Sequence, residues 1–60
     1  MFEKLYKIAK DYNLKLKFMK LPIKIRAFIL EIDNSIYVVV NELLPDEEKE
    51  KAFRTRIITL

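Results

Sequence analysis

The order of apolar and polar residues predicts a helix followed by a strand at the start of the chain. Over residues 2–12 the apolar side chains fall within an arc of roughly 160° of a helix, and charged residues occupy the other side. Asn13 tolerates the left-handed conformation that ends many helices. Residues 14–19 come next, and over their first five positions apolar and basic side chains alternate, which is the period of a strand with one buried face. Pro22 ends that strand, because proline cannot donate a ladder hydrogen bond.

A hairpin is predicted from the next two apolar segments, residues 25–32 and 35–40. Asp33 and Asn34 separate them, and both residue types tolerate the left-handed backbone of a tight turn. Residues 37–40 are aromatic or β-branched throughout, which is typical of a well-buried strand such as the central strand of a sheet.

A second helix is predicted from residue 46 onwards. Pro45 suits the first helical position, and the acids at residues 46–48 complement the positive end of the helix dipole. Two pairs of opposite charge have the favourable i,i+4 spacing, Glu47 with Lys51 and Glu50 with Arg54. Residues 57–60 are apolar and lack a polar cap, so we expect them either to continue the helix, which we favour, or to leave as a short strand.

These elements predict an α+β fold of one small domain spanning residues 1–60. The expected order is an N-terminal helix, a three-stranded antiparallel β-meander and a C-terminal helix, α-β-β-β-α. A chain this short buries on folding only ~60% of the surface that it exposes when it is unfolded.

The composition excludes most catalytic chemistry. The 60 residues include no His, Cys or Gly, which removes nearly every zinc, copper or iron site, every nucleophile that needs a histidine base, and any glycine-rich phosphate loop. We therefore expect no enzyme activity, no cofactor and no metal. The longest apolar run, residues 36–40, is far shorter than the ~20 residues that span a bilayer. We expect no membrane association and a cytoplasmic location.

Charge is distributed unevenly along the chain. Residues 1–26 carry a net charge of +6 and residues 27–60 a net charge of −3. The basic stripe that this creates consists of Lys15, Lys17, Lys20, Lys24 and Arg26. Phosphate binding needs little more than such a stripe, so a small basic nucleic-acid-binding protein is one hypothesis. The alternative interpretation is an ordinary solvated surface.

Three segments carry a resemblance to a known family. They are IAKDYNL at residues 8–14, IYVVVNE at residues 36–42, and EEKEKAF at residues 47–53, shortly after Pro45. In order and spacing they resemble the N-terminal portion of the ImmA/IrrE family of small zinc metallopeptidases. The resemblance implies an N-terminal helix, a small antiparallel sheet, and a helix that in the family bears His-Glu-x-x-His. It covers nearly all of this chain but only part of a typical family member.

The catalytic positions of that family are not filled here. Where the resemblance places the two histidines, this chain has Thr55 and Thr59, and it has Arg56 in place of the glutamate. A threonine hydroxyl is a poor zinc ligand, and a guanidinium cannot act as a base. The resemblance therefore implies a degenerate or truncated relative without catalytic residues.

The main functional hypothesis is a non-catalytic, regulatory protein-interaction domain. Family members often accompany phage or mobile-element repressors, so the resemblance implies a protein partner of this kind. We expect the interaction surface to combine an exposed sheet edge with an apolar C-terminal patch of Phe53, Ile57, Ile58 and Leu60. Self-association, giving a homo-oligomer, is the simplest way to cover both.

Overall fold

The computed structural model describes residues 2–59 and shows the predicted α-β-β-β-α order. The five elements are α1 (Glu3–Asp11), β1 (Leu14–Met19), β2 (Ala27–Ile32), β3 (Ser35–Asn41) and α2 (Asp46–Ile58). The α+β class is therefore confirmed. Helix α2 continues well past Arg54, as favoured from the sequence, and Pro45 lies one position before its first residue rather than within it.

The predicted antiparallel meander is wrong. The sheet is mixed and its strand order is β1-β3-β2, so that β1 pairs with β3 in parallel and β2 pairs with β3 in antiparallel orientation. The β2–β3 hairpin is as predicted, but β1 lies on the far side of β3 instead of beside β2. Leu16 and Ile29 consequently flank Val38 from opposite sides.

The burial of β3 gives the physical reason for this order. Val38, Val39 and Val40 are all buried, although consecutive side chains point to opposite faces of the sheet. A strand whose side chains are buried on both faces is best placed in the centre of the sheet, where the side chains of the two neighbouring strands shield it. A meander would have put β2 there and left β3 at an edge.

Asn41 secures the connection that this order requires. Residues 20–26 run from β1 past the end of β3 to β2, and the Asn41 side chain, 1% exposed, contacts them. Its Nδ2 donates to the carbonyls of Leu21, Pro22 and Ile25 at 3.3, 3.3 and 2.8 Å, and its Oδ1 accepts from the amides of Leu21 and Leu43 at 3.2 and 3.0 Å. The sequence indicated only that Asn41 interrupts an apolar run.

Left-handed backbone marks two of the turns, as predicted. Asn13 follows α1 with φ 59°, and Asp33 and Asn34 form the hairpin turn with φ 49° and 67°. Positive φ at both central residues fits the right-handed twist of the flanking strands.

One face of the sheet carries both helices. Helix α1 contacts β1, and α2 contacts β3 and β2. The core between these layers includes Leu5 of α1, Leu16 of β1, Val38 and Val40 of β3, and Phe53 of α2. We call this side of the sheet the covered face.

Candidate interaction surfaces

The opposite side of the sheet has no helix over it. Strand alternation and the pairing register place ten positions there: Lys15, Lys17 and Met19 of β1, Ser35, Tyr37, Val39 and Asn41 of β3, and Phe28, Leu30 and Ile32 of β2. We call this surface the open face. No helix or strand formed by residues 2–59 covers it.

The open face is largely apolar and accessible. Met19, Leu30 and Ile32 are 49%, 42% and 47% exposed. Val39 lies at the centre and is only 2% exposed, yet it is not a member of the core beneath the helices. It is therefore enclosed by its neighbours on the open face, and together they form a small apolar surface of their own.

Two lysines border this surface on the β1 side. The Nζ atoms of Lys15 and Lys17 each lie 5.4 Å from the centroid of the Tyr37 ring, within the range of a cation–π contact. Among the ion pairs of residues 2–59, neither ammonium has a carboxylate partner. The β1 border of the open face is therefore cationic.

The five residues of the predicted basic stripe have different surroundings. Arg26 turns toward α2, where its guanidinium donates to Glu48 Oε1 at 3.1 Å. Lys20 and Lys24 are exposed in the connection between β1 and β2. Of the five predicted residues, the structure brings only Lys15 and Lys17 together around a common contact, the Tyr37 ring.

The Arg26–Glu48 pair also sets the protonation of Glu48. The hydrogen bond and the positive charge of Arg26 lower the pKa of Glu48 below its ordinary value of 4.5, with a smaller contribution from Lys51. Lys51 Nζ lies 3.7 Å from Glu48 Oε2, whereas the spacing in the sequence predicted a pair of Lys51 with Glu47. The other predicted pair, Glu50 with Arg54, is present at 3.6 Å.

The predicted C-terminal patch is divided between the interior and the surface. Phe53 is fully buried in the core, so its side chain presents no surface to a partner in this fold. Ile57 is half-buried and Ile58 is 83% exposed. These two line a groove of about 470 Å³ together with Ile8, Asp11, Tyr12 and Arg54. Leu60 lies outside the described residues.

The residues at the resembled catalytic positions lie at the C-terminal end of α2. Thr55 and Arg56 are exposed and line a shallow depression beside Arg26 and Ala27. Thr59 follows the helix, and its hydroxyl donates to the Arg56 carbonyl at 2.9 Å. Within residues 2–59, no group of three or more His, Cys, Asp and Glu side chains is arranged to hold a metal ion.

Sequence reasoning missed the open face as a unit. The alternation in β2 placed Phe28, Leu30 and Ile32 on one side, and the alternation in β1 placed Lys15 and Lys17 in solvent. The prediction did not ask what covers the second face of the sheet when both helices lie on the first. The apolar residues Phe28, Leu30 and Ile32 were a visible signal in the sequence that this second face is also apolar.

Comparisons of this chain with known proteins found no relative. No protein-family model, no curated protein and no solved structure gives a significant match to this chain. Among residues 2–59, neither α1 nor α2 has both the length and the apolar character that a helix needs to cross a bilayer.

Proposed function

We propose that this chain is a non-catalytic protein-interaction domain with a regulatory role. The observation that carries this proposal is the open face, where large apolar side chains are exposed side by side on a rigid sheet. Single exposed apolar residues are normal on a protein surface, whereas the largest contiguous apolar patch of a protein is often a functional surface. The groove lined by Ile57 and Ile58 is a second, smaller candidate surface.

The dimensions of the open face suit a modest interface. Strands of six or seven residues are roughly 20 Å long, and three strands are roughly 14 Å wide, which gives a footprint of about 300 Å². Stable complexes bury about 800 Å² per partner. An interaction through the open face alone therefore belongs to the weak, concentration-dependent class, as is common in regulation.

The resemblance to the ImmA/IrrE metallopeptidases supplies an ancestry for this role. A relative that keeps the helix–sheet–helix order but has Thr55, Arg56 and Thr59 at the catalytic positions could still bind a partner protein after losing the ability to hydrolyse peptides. The proposed setting is a cytoplasmic protein of phage or mobile-element origin that acts by binding protein.

Sedimentation equilibrium tests the proposal. Purified, nucleic-acid-free protein is expected to associate between about 10 µM and about 1 mM, the range of weak interfaces. A strict monomer throughout that range would remove the main support for an interaction domain. Zinc that copurifies tightly, or peptide hydrolysis that persists after rigorous purification, would contradict the non-catalytic part.

A nucleic-acid-binding role is the second candidate, and one observation favours it. Lys15 and Lys17 flank the Tyr37 ring on an open sheet face, an arrangement that can combine base stacking with phosphate contacts. Against it, Arg26 is paired with Glu48, and the aliphatic residues Leu30, Ile32 and Met19 occupy the rest of the face. Charge reversal at Lys15, Lys17 and Lys24 tests this role, because unchanged retention on nucleic acid at low salt would exclude it.

A further inference from the structure

We propose that the depression between α2 and the start of β2 binds a terminal phosphate group, which is either a free phosphate ion or the dianionic end of a phosphomonoester. The residues that line it are Arg26, Ala27, Lys51, Ala52, Thr55 and Arg56. The depression lies on the helix side of the sheet, away from the open face. This proposal and the proposed function can therefore fail independently.

Two small side chains form the floor of the depression. Ala27 and Ala52 are 3% and 5% exposed and belong to the core where α2 packs on β2. Each contributes only a methyl group, so the longer side chains around them form a rim. The space that results is about 250 Å³ and is open to solvent. It is smaller than the ~300–1,000 Å³ of most small-molecule pockets, so it suits a single chemical group at the end of a ligand.

The rim is cationic. Arg26 precedes β2, whereas Lys51 and Arg56 belong to α2, and no acidic side chain is among the described residues that line the depression. Thr55 adds a hydroxyl that can donate a hydrogen bond. A guanidinium presents a planar fork of donors that matches the oxygens of a phosphate. The charged groups of the lining thus all favour an oxyanion.

One carboxylate beside the rim sets the charge of the ligand. Glu48 Oε1 accepts from Arg26 at 3.1 Å, and Glu48 Oε2 lies 3.7 Å from Lys51 Nζ. Glu48 therefore offsets one of the three positive charges, and three minus one leaves a local surplus of two. Among the ion pairs of residues 2–59, Arg56 has no carboxylate partner. This surplus matches a phosphomonoester, which carries about −1.5 to −2 at pH 7, better than a phosphodiester with its single charge.

Titration of the monomeric protein with small phosphates tests the site. The probes are inorganic phosphate, methyl phosphate and dimethyl phosphate, followed by amide chemical shifts at constant ionic strength and at about pH 8, where a phosphomonoester is a dianion. The first two should shift the amides of Ala27, Ala52 and Thr55, with dissociation constants on the order of 1 mM. Dimethyl phosphate, with one charge, should bind at least about fivefold more weakly. Whichever of the first two binds more tightly identifies the free ion or the ester as the ligand.

Two arginines of α2 provide a matched pair of variants. Arg56→Gln removes a guanidinium from the rim and should weaken binding of methyl phosphate at least about fivefold. Arg54→Gln makes the same change in net charge outside the depression, so its dissociation constant should stay within about twofold of the wild-type value. Arg56→Lys keeps the charge but not the fork, and should bind between Arg56→Gln and the wild type. If Arg56→Gln fails to fold in urea denaturation, Lys51→Gln provides the same comparison.

Three results would overturn the inference. Equal weakening by Arg56→Gln and Arg54→Gln would show a general attraction of anions to a basic protein. Dimethyl phosphate that binds as tightly as methyl phosphate would replace the terminal phosphate by a phosphodiester. Shifts that do not saturate with any probe up to about 20 mM, well above the expected dissociation constant, would remove the site and leave the open face unaffected.

Discussion

The two faces of the sheet are built from the same three strands but have different surroundings. On the covered face Leu16, Val38 and Ala27 meet helices and form the core, whereas on the open face their sequence neighbours Lys17, Val39 and Phe28 meet no helix of the described chain. A shift of one residue along a strand therefore separates a residue that stabilises the fold from one that is available to a partner. The comparison teaches that in a domain this small, alternate positions of one strand decide which side chains pack beneath the helices and which remain on a face without a helix.

The largest difference between the faces is expected in stability. Phe53→Ala removes the largest fully buried side chain of the covered face and should cost about 3–5 kcal/mol, enough to unfold much of a 60-residue domain. Leu30→Ala on the open face, at a concentration where the protein is monomeric, should cost less than about 1 kcal/mol because the side chain is already partly solvated. Urea denaturation followed by circular dichroism measures both. Similar losses for the two variants would contradict the division of roles.

Asn41 tests how the strand order is maintained. Asn41→Leu removes five part-buried hydrogen bonds to backbone groups of Leu21, Pro22, Ile25 and Leu43, so we expect a loss of about 2–3 kcal/mol. The matched control is Glu42→Leu, an exposed position one residue further on, which should change stability by less than about 0.5 kcal/mol. An Asn41 variant as stable as its control would mean that the amide does not secure the connection.

The hairpin turn offers a gain in stability that should leave both faces unchanged. Asn34 has φ 67°, a conformation that costs glycine nothing, and aspartate followed by glycine is a favoured pair in two-residue hairpins. Asn34→Gly is therefore expected to stabilise the fold by up to about 1 kcal/mol in thermal denaturation. The dissociation constant should not change. A destabilised variant would show that the Asn34 side chain contributes a contact beyond its backbone conformation.

The smallest effect is a dependence on pH at the rim of the covered face. Arg26 lowers the pKa of Glu48 in the folded protein below its ordinary value of 4.5. The ion pair therefore stabilises the fold fully above pH 4.5, and this contribution is lost as the pH falls through the lower, folded pKa. Because water reaches both side chains of the pair, which are 49% and 35% exposed, the change should be slight. Arg26→Gln should remove this part of the acid sensitivity, with Arg56→Gln as a control, and equal pH profiles for the two variants would argue against the pair.

The sequence predicted the elements of the fold more fully than their arrangement. Asn13, Asp33 and Asn34 act locally, so their turns could be read directly from residue type. The order of the strands depends on which segment is buried on both faces, and residues 37–40 pointed to a central β3 that is incompatible with a meander. The prediction did not resolve this conflict. The long-range contacts of Asn41 could not be predicted, because they join segments that come together only in the correct topology.

The candidate site was predicted in part. Ile58 is exposed, and Lys15 and Lys17 lie together on one face. Phe53 and Arg26 point elsewhere, since one completes the core and the other pairs with Glu48. Such choices depend on which neighbours each side chain meets, and a periodic pattern alone does not specify them.

The central claim of the proposed function is that the open face is a protein-interaction surface through which the chain associates. The most direct measurement is the change of NMR chemical shifts on dilution from about 1 mM to about 10 µM. The account predicts that the side-chain signals of Leu30, Ile32 and Tyr37 shift with concentration while those of Ile58 and the exposed Leu43 stay constant. Shifts confined to Ile58 and its groove, or no concentration dependence at all, would contradict it.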